Sequence, residues 1–230
     1  MSKTIKIIFL VIVFSVVLGC TPQVKVRQTV PSYFVMLSDW NVYQQMRCSG
    51  FVVNEHTVVT AAHCFTKNFL ISRILTQYNQ EVHFTSYKLY PNLDLAIIKT
   101  PEKIYAEEYP KFAKPEYKVG QSYGLCTLYF FYNARNVLHL SKVLGNPLYD
   151  KTTKVDKVKD FSKFSSWLTV DPKQVICLSD SGGIIRQDGK IVGMVSEILS
   201  LPLVGMSTQM IAIDGDAIYE KLQELELEMP

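Results

Sequence analysis

Apolar residues fall in short bursts along most of the chain, rich in β-branched and aromatic types and separated by polar, Gly- or Pro-marked stretches. That is the pattern of many short strands rather than of long helices. Tyr33-Phe34-Val35-Met36-Leu37 predicts a first strand. Cys48 to Val53 and Thr57-Val58-Val59-Thr60, parted by Asn54-Glu55, predict a hairpin. Further strands are expected at Phe69-Leu70-Ile71, Glu81 to Tyr90 and Leu95-Ala96-Ile97-Ile98, where Pro101 ends the series.

Residues 101–118 are polar and punctuated by Pro101, Pro110 and Pro115, and read as a link between two halves. Strands resume near Gln121, continue through Val137 to Val143, and recur at Trp167-Leu168-Thr169-Val170. Between them Asp150 to Lys163 is lysine-rich and weakly patterned, and reads as a solvated excursion. Ile184-Ile185 and Lys190 to Ser196 flank Gln187-Asp188-Gly189, in which Asp-Gly signals a hairpin turn. Only at the end does the period change. Ile213, Ala217, Ile218 and Leu222 stand at helical spacing, with Asp214 as N-cap. The fold class expected is all-β with a C-terminal helix over about residues 214–226.

The N-terminus departs from this pattern. Lys3 and Lys6 precede an apolar run from Ile7 to Leu18, followed by Gly19-Cys20. The run is about 12 residues, short of the roughly 20 needed to span a bilayer, and its layout is that of a secretory signal. Val17-Leu18-Gly19-Cys20 resembles the bacterial lipobox, in which the cysteine is lipidated and becomes the first residue of the mature chain. The expected order is a signal peptide over 1–19, a lipidated tether over 20–32 and a folded unit over 33–230. The expected location is the bacterial cell envelope, anchored to a membrane by the lipid on Cys20 and facing away from the cytoplasm.

Composition adds exclusions. With 48% hydrophobic and 20% charged residues the chain can bury an ordinary core. A net charge of +3 without a basic, aromatic-interleaved stripe gives no case for nucleic acid. Setting Cys20 aside, Cys48, Cys64, Cys126 and Cys177 permit two disulfides in an oxidising compartment, and spacing does not choose among the connectivities. His56, His83 and His139 lack the close ligand spacing of a zinc site, so neither metal nor cofactor is expected.

Three local settings carry chemistry. Thr60-Ala61-Ala62-His63-Cys64 places an imidazole at a strand end. Leu93-Asp94-Leu95-Ala96-Ile97-Ile98-Lys99 opens an apolar strand with one acid. Cys177-Leu178-Ser179-Asp180-Ser181-Gly182-Gly183 sets a serine in a glycine-rich turn. Serine acyl transfer needs a hydroxyl, an imidazole base and a carboxylate that orients it, and all three are supplied.

In this order the three motifs closely resemble the signatures of the chymotrypsin-like serine peptidases, over about residues 33 to 225. The resemblance implies two antiparallel β-barrels, the first over about 33–105 and the second over about 119–212, with the site between them. It implies that His63 is the general base, Asp94 its orienting carboxylate and Ser181 the nucleophile. The N–H groups of Ser179 and Ser181 would form the oxyanion hole, and Ser196 would support Asp94. Cys48 and Cys64 match the disulfide that braces the histidine loop. The implied activity is endoproteolysis of protein or peptide substrates.

Four positions depart from the family pattern. Ser179 replaces a usual glycine, which restricts the peptide orientation of the oxyanion hole and implies reduced or inducible activity. Asp180 matches an acid that pairs with a newly cut N-terminal amine, yet no such start follows a basic residue here; internal partners are expected instead. Val175 stands where members that cut after Arg or Lys carry an acid, while Glu197 and Ile198 replace the Trp-Gly that lines the cleft, so a small or apolar side chain before the cut is expected. Cys177 lacks its usual later partner, leaving a bond to Cys126 or a free thiol.

Overall fold

The structure is a computed structural model that describes residues 31–39, 47–65, 71–76, 78, 80–119, 121–128, 148–170, 176–177, 180–198, 206–207 and 209–228. The strands of the first half are β1 (Phe34–Asp39), β2 (Arg47–Asn54), β3 (Thr57–Ala61), β4 (Ile71–Thr76), β5 (Glu81–His83), β6 (Ser86–Tyr90) and β7 (Leu95–Lys99). They form one sheet in the order β5-β4-β1-β2-β3-β7-β6. Its two ends, β5 and β6, are consecutive pieces of a single stretch broken only at Phe84 and Thr85. The sheet therefore curls until its ends meet through those two residues.

The second half contributes β8 (Lys111–Phe112), β9 (Ser122–Leu128), β10 (Leu148–Ser162), β11 (Ser165–Val170), β12 (Ile176–Cys177), β13 (Ile184–Gln187), β14 (Lys190–Ile198), β15 (Met206–Ser207) and β16 (Gln209–Asp214). The order β13-β9-β10-β11-β16-β14 is closed by a further β13–β14 pairing. β8 adds to β14 in parallel, and β12 pairs with β15 apart from the ring. Closure of this kind leaves the ring's strands without a free edge.

Local sequence explains much of this. The β13–β14 hairpin turns at Asp188 (φ 50°) and Gly189 (φ 74°), the two left-handed residues that a type I′ turn needs. All five residues of β3 are buried, because one face meets its own barrel and the other the second barrel. Phe34, Leu37, Phe51, Val59, Ile74 and Ile97 form the first core, which continues into Ile184, Ile191, Met194 and Ile213 of the second half. A smaller core of Tyr123, Leu168, Ile185, Val192, Val195, Met210 and Ala212 fills the second ring. The terminal helix α1 (Gly215–Glu228) lays Ala217, Ile218, Leu222 and Leu225 inward. Among the described residues no helix is long and apolar enough to cross a membrane.

Two expectations need correction. Asp150 to Lys163 is no excursion: it is most of the 15-residue β10, hydrogen-bonded to β9 on one side and β11 on the other. Lys157 and Lys159 are exposed on one face of this paired strand, Val158 between them is partly buried and packed against the second core, and Asp160 near the strand end is exposed. At the other end Ile213 belongs to β16, not to the helix, which starts at Gly215. Of the strand expected at Phe69-Leu70-Ile71, Ile71 is in β4; Phe69, Leu70 and the stretch Val137 to Val143 lie outside the described residues, as do Cys20 and the lipobox.

Candidate active site

β3 and β7 pair with Ala61 opposite Leu95, so the residues just beyond them leave the sheet side by side. After β3 the chain tightens into a 3-10 turn, Ala62–Phe65, which carries His63. Before β7 a second 3-10 turn, Pro91–Leu93, ends on Asp94 in the left-handed region (φ 51°, ψ 39°), which aspartate tolerates better than most residues. The ladder continues one step further through the Ala62 N–H, which donates to the Asp94 carbonyl at 2.9 Å.

This brings the Asp94 carboxylate onto His63 twice. Oδ1 accepts the His63 backbone N–H at 2.8 Å, and Oδ2 lies 2.8 Å from Nδ1. An ionised carboxylate only accepts, so Nδ1 carries the proton and Nε2 keeps its lone pair. From the second barrel, the Ser196 hydroxyl donates to the same Oδ2 at 2.5 Å. Burial disfavours the imidazolium, yet the hydrogen bond and charge of Asp94, with a smaller contribution from Glu197, outweigh it and raise the His63 pKa above 6.5. Burial likewise disfavours the Asp94 anion; the His63 bond and charge, the Ser196 hydroxyl and the His63 backbone N–H together hold its pKa below the ordinary 3.8.

Ser181 lies on the turn Asp180–Gly183, closed by the Gly183 N–H donating to the Asp180 carbonyl at 2.8 Å. Gly182 has φ +79°, the conformation a type II turn asks of its third residue. The turn is strapped to both barrels. The Gly182 N–H donates to the Val195 carbonyl of β14 at 2.7 Å, and the Ser49 N–H of β2 donates to the Ser181 carbonyl at 2.8 Å. The Thr60 hydroxyl donates to the Ser49 carbonyl at 2.7 Å, fixing the group against which Gly182 is pressed. Asp180 and Ser181 are buried, at 1% and 4% exposure.

Ser49, Thr60 and Gly182 were not anticipated from the sequence. The available signal was a buried-looking strand that spends a hydroxyl, Thr60, next to alanines. Of the anticipated residues, His63, Asp94 and Ser196 meet directly, and Ser181 is held at the same junction. Glu197 is exposed beside Ser196. Val175 and Ser179 lie outside the described residues, as does the side chain of Ile198.

Cys48 and Cys64 form a disulfide, tying the start of the β2–β3 hairpin to the histidine turn. The clustering of Cys48, His63 and Cys64 is therefore no metal centre, since the bond consumes both thiolates. Cys126 lies in β9 opposite Ile184 and Cys177 in β12 opposite Met206; their side chains fall outside the described residues.

The trypsin family model matches residues 25–123. Among solved structures, kallikrein-related peptidase 10 matches with TM-score 0.65 at 16% identity, over 89% of this chain and 100% of the other. Neuropsin, a serine protease expressed in the limbic system of mouse brain, matches with TM-score 0.63 at 14% identity, over 87% and 98%. A scabies mite inactivated protease paralogue, S-I1, matches with TM-score 0.64 at 13% identity, over 87% and 96%. Residues 25–123 thus carry a trypsin-family match, and the chain as a whole has the fold of the chymotrypsin-like serine proteases.

Proposed function

We propose that the protein is a serine endopeptidase of extracytoplasmic proteins, working through His63, Asp94 and Ser181 and tethered to a bacterial membrane by a lipid on Cys20. The observation that carries the reading is the doubly bonded His63–Asp94 pair, braced by Ser196 from the opposite barrel. In that reading Ser181 Oγ attacks the scissile carbonyl and its proton passes to His63 Nε2. Asp94 stabilises the resulting imidazolium, and the proton then goes to the leaving amine. The N–H groups of Ser179 and Ser181 bind the oxyanion. Ser179 in place of glycine slows this step, and internal partners of Asp180 make an activating cut unnecessary. Val175, Glu197 and Ile198 line the specificity pocket.

A second reading, a protease-fold binding or scaffolding lipoprotein with weak or no catalysis, draws support from two observations. Ser181 is only 4% exposed, and solved structures of this fold include inactivated protease paralogues. A fluorophosphonate probe separates the two. The peptidase reading expects covalent labelling of the wild type that disappears in Ser181→Ala; correctly folded wild type that takes no label removes that reading in favour of the binding one. Replacing Cys20 by alanine should move the protein from the membrane to the soluble fraction.

A further inference from the structure

β14 carries a bulge at the site. Val195 faces Ala212 and Ile198 faces Met210, so Ser196 and Glu197 together oppose the single residue Ile211. Bulges of two residues against one bend a strand and re-aim its side chains. Here Ser196 is turned inward, its hydroxyl on Asp94, and Glu197 outward into solvent. The carboxylates nearest the reacting groups are otherwise spoken for: Asp94 is held by His63 and Ser196, and Asp180 is 1% exposed. Among the described residues no lysine or arginine forms an ion pair with Glu197. It nonetheless stands next to the site, because its chain neighbour Ser196 bonds Asp94 and Asp94 bonds His63, and its charge adds to the pull of Asp94 on the His63 proton.

We infer that Glu197 forms a cation-selecting subsite, preferring peptides that carry Lys or Arg within two or three residues of the position held between His63 and Ser181. The inference rests on the reading of that junction as a peptide-binding cleft. A residue in an extended peptide advances about 3.3 Å, so side chains two or three residues away are displaced by roughly 7–10 Å along the peptide, comparable with the Debye length of roughly 8 Å at physiological salt. The anticipated apolar preference concerns the side chain at the cut itself; Glu197, beyond its place in that pocket, also acts on the flanking ones. An exposed ion pair of this kind changes affinity by about two- to fivefold, and salt weakens it.

The test uses Ser181→Ala, so that binding is read without turnover. Dye-labelled octapeptides, identical except for Lys, Gln or Glu at one scanned position, are titrated by fluorescence anisotropy at low and high salt. The expected order is Lys tighter than Gln and Gln tighter than Glu at two or more adjacent positions. The spread should collapse when Glu197→Gln is added, invert with Glu197→Lys, and shrink at high salt. No binding, equal binding of the three, or a Lys preference that survives Glu197→Gln overturns the inference. Fluorophosphonate labelling of wild type is scored separately: absent label with the Lys preference intact removes the peptidase reading and leaves the cation subsite standing.

Discussion

Gly182 is the point where the turn carrying Ser181 touches the other barrel, and replacing it by alanine should be unusually costly. A Cβ there would lie 2.0 Å from the Ser49 carbonyl oxygen and 2.7 Å from Thr60 Oγ1, where ordinary contact begins at 3.4 Å. The backbone must retreat by about 1.4 Å, the difference between 3.4 and 2.0 Å, and Thr60 cannot yield without releasing the Ser49 carbonyl. Two costs add. Holding alanine at φ +79° costs about 1–2 kcal/mol. Losing the Ser49-to-Ser181 and Gly182-to-Val195 bonds costs about 1 kcal/mol each, for a total of about 3–4 kcal/mol. Gly189 is the internal control, because it has φ +74° but nothing within 4 Å of an added Cβ. Gly189→Ala should cost only the conformational part, about 1–2 kcal/mol. Urea unfolding midpoints at unchanged m-value give both numbers, and the fluorophosphonate labelling rate should fall in Gly182→Ala alone. Equal destabilisation of the two variants, or full labelling by Gly182→Ala, would refute the strap between the barrels.

Four further outcomes are expected. Labelling needs neutral His63, so its rate should rise with pH through a midpoint above 6.5; Ser196→Ala, which removes a charge-assisted bond to Asp94 worth about 1.5–3 kcal/mol, should slow it at least tenfold, as measured by stopped labelling time courses. Replacing Cys48 and Cys64 together by alanine opens a bridge of sequence separation 16 and should cost about 3 kcal/mol in chemical denaturation. Asp214 has its pKa pushed up from 3.8 to about 6, chiefly by burial, with Asp216 and Asp160 adding to it. A raised folded-state pKa favours the native state at low pH and loses that contribution as pH rises from 3.8 through about 6. With the group partly open to solvent, the loss should be about 1 kcal/mol, and Asp214→Asn should flatten that part of the stability–pH curve.

What the sequence disclosed was local. Asp188-Gly189 marked its own turn because left-handed pairs have few competing explanations, and the residues around His63, Asp94 and Ser181 stood out because their types match one chemistry. What it withheld depends on partners distant in sequence. β10 has few apolar residues, and only its ladders with β9 and β11 reveal it as a strand. Ile213 could extend a helical stripe or end a strand; its pairing with Ser165 decides for the strand. Ser49 and Thr60 are unremarkable in composition, and their role comes from a carbonyl and an N–H that only the docking of two barrels brings to the turn carrying Ser181.

The seam at Phe84 and Thr85 bears on how the first half escapes self-association. β5 lends its backbone to β4 while β6, a few residues on, lends its own to β7. One stretch of chain thus occupies both places where a flat sheet would offer bare N–H and C=O groups to a neighbouring molecule. Exposed sheet margins of that sort nucleate edge-to-edge aggregation. Phe84 is 5% exposed and its N–H still donates to the Ser72 carbonyl at 3.2 Å, so the join between the two margins is held by a residue that also fills the core. A proline or an insertion at this seam would turn a ring into an open sheet, and its first symptom would be insolubility rather than a change in the chemistry of His63.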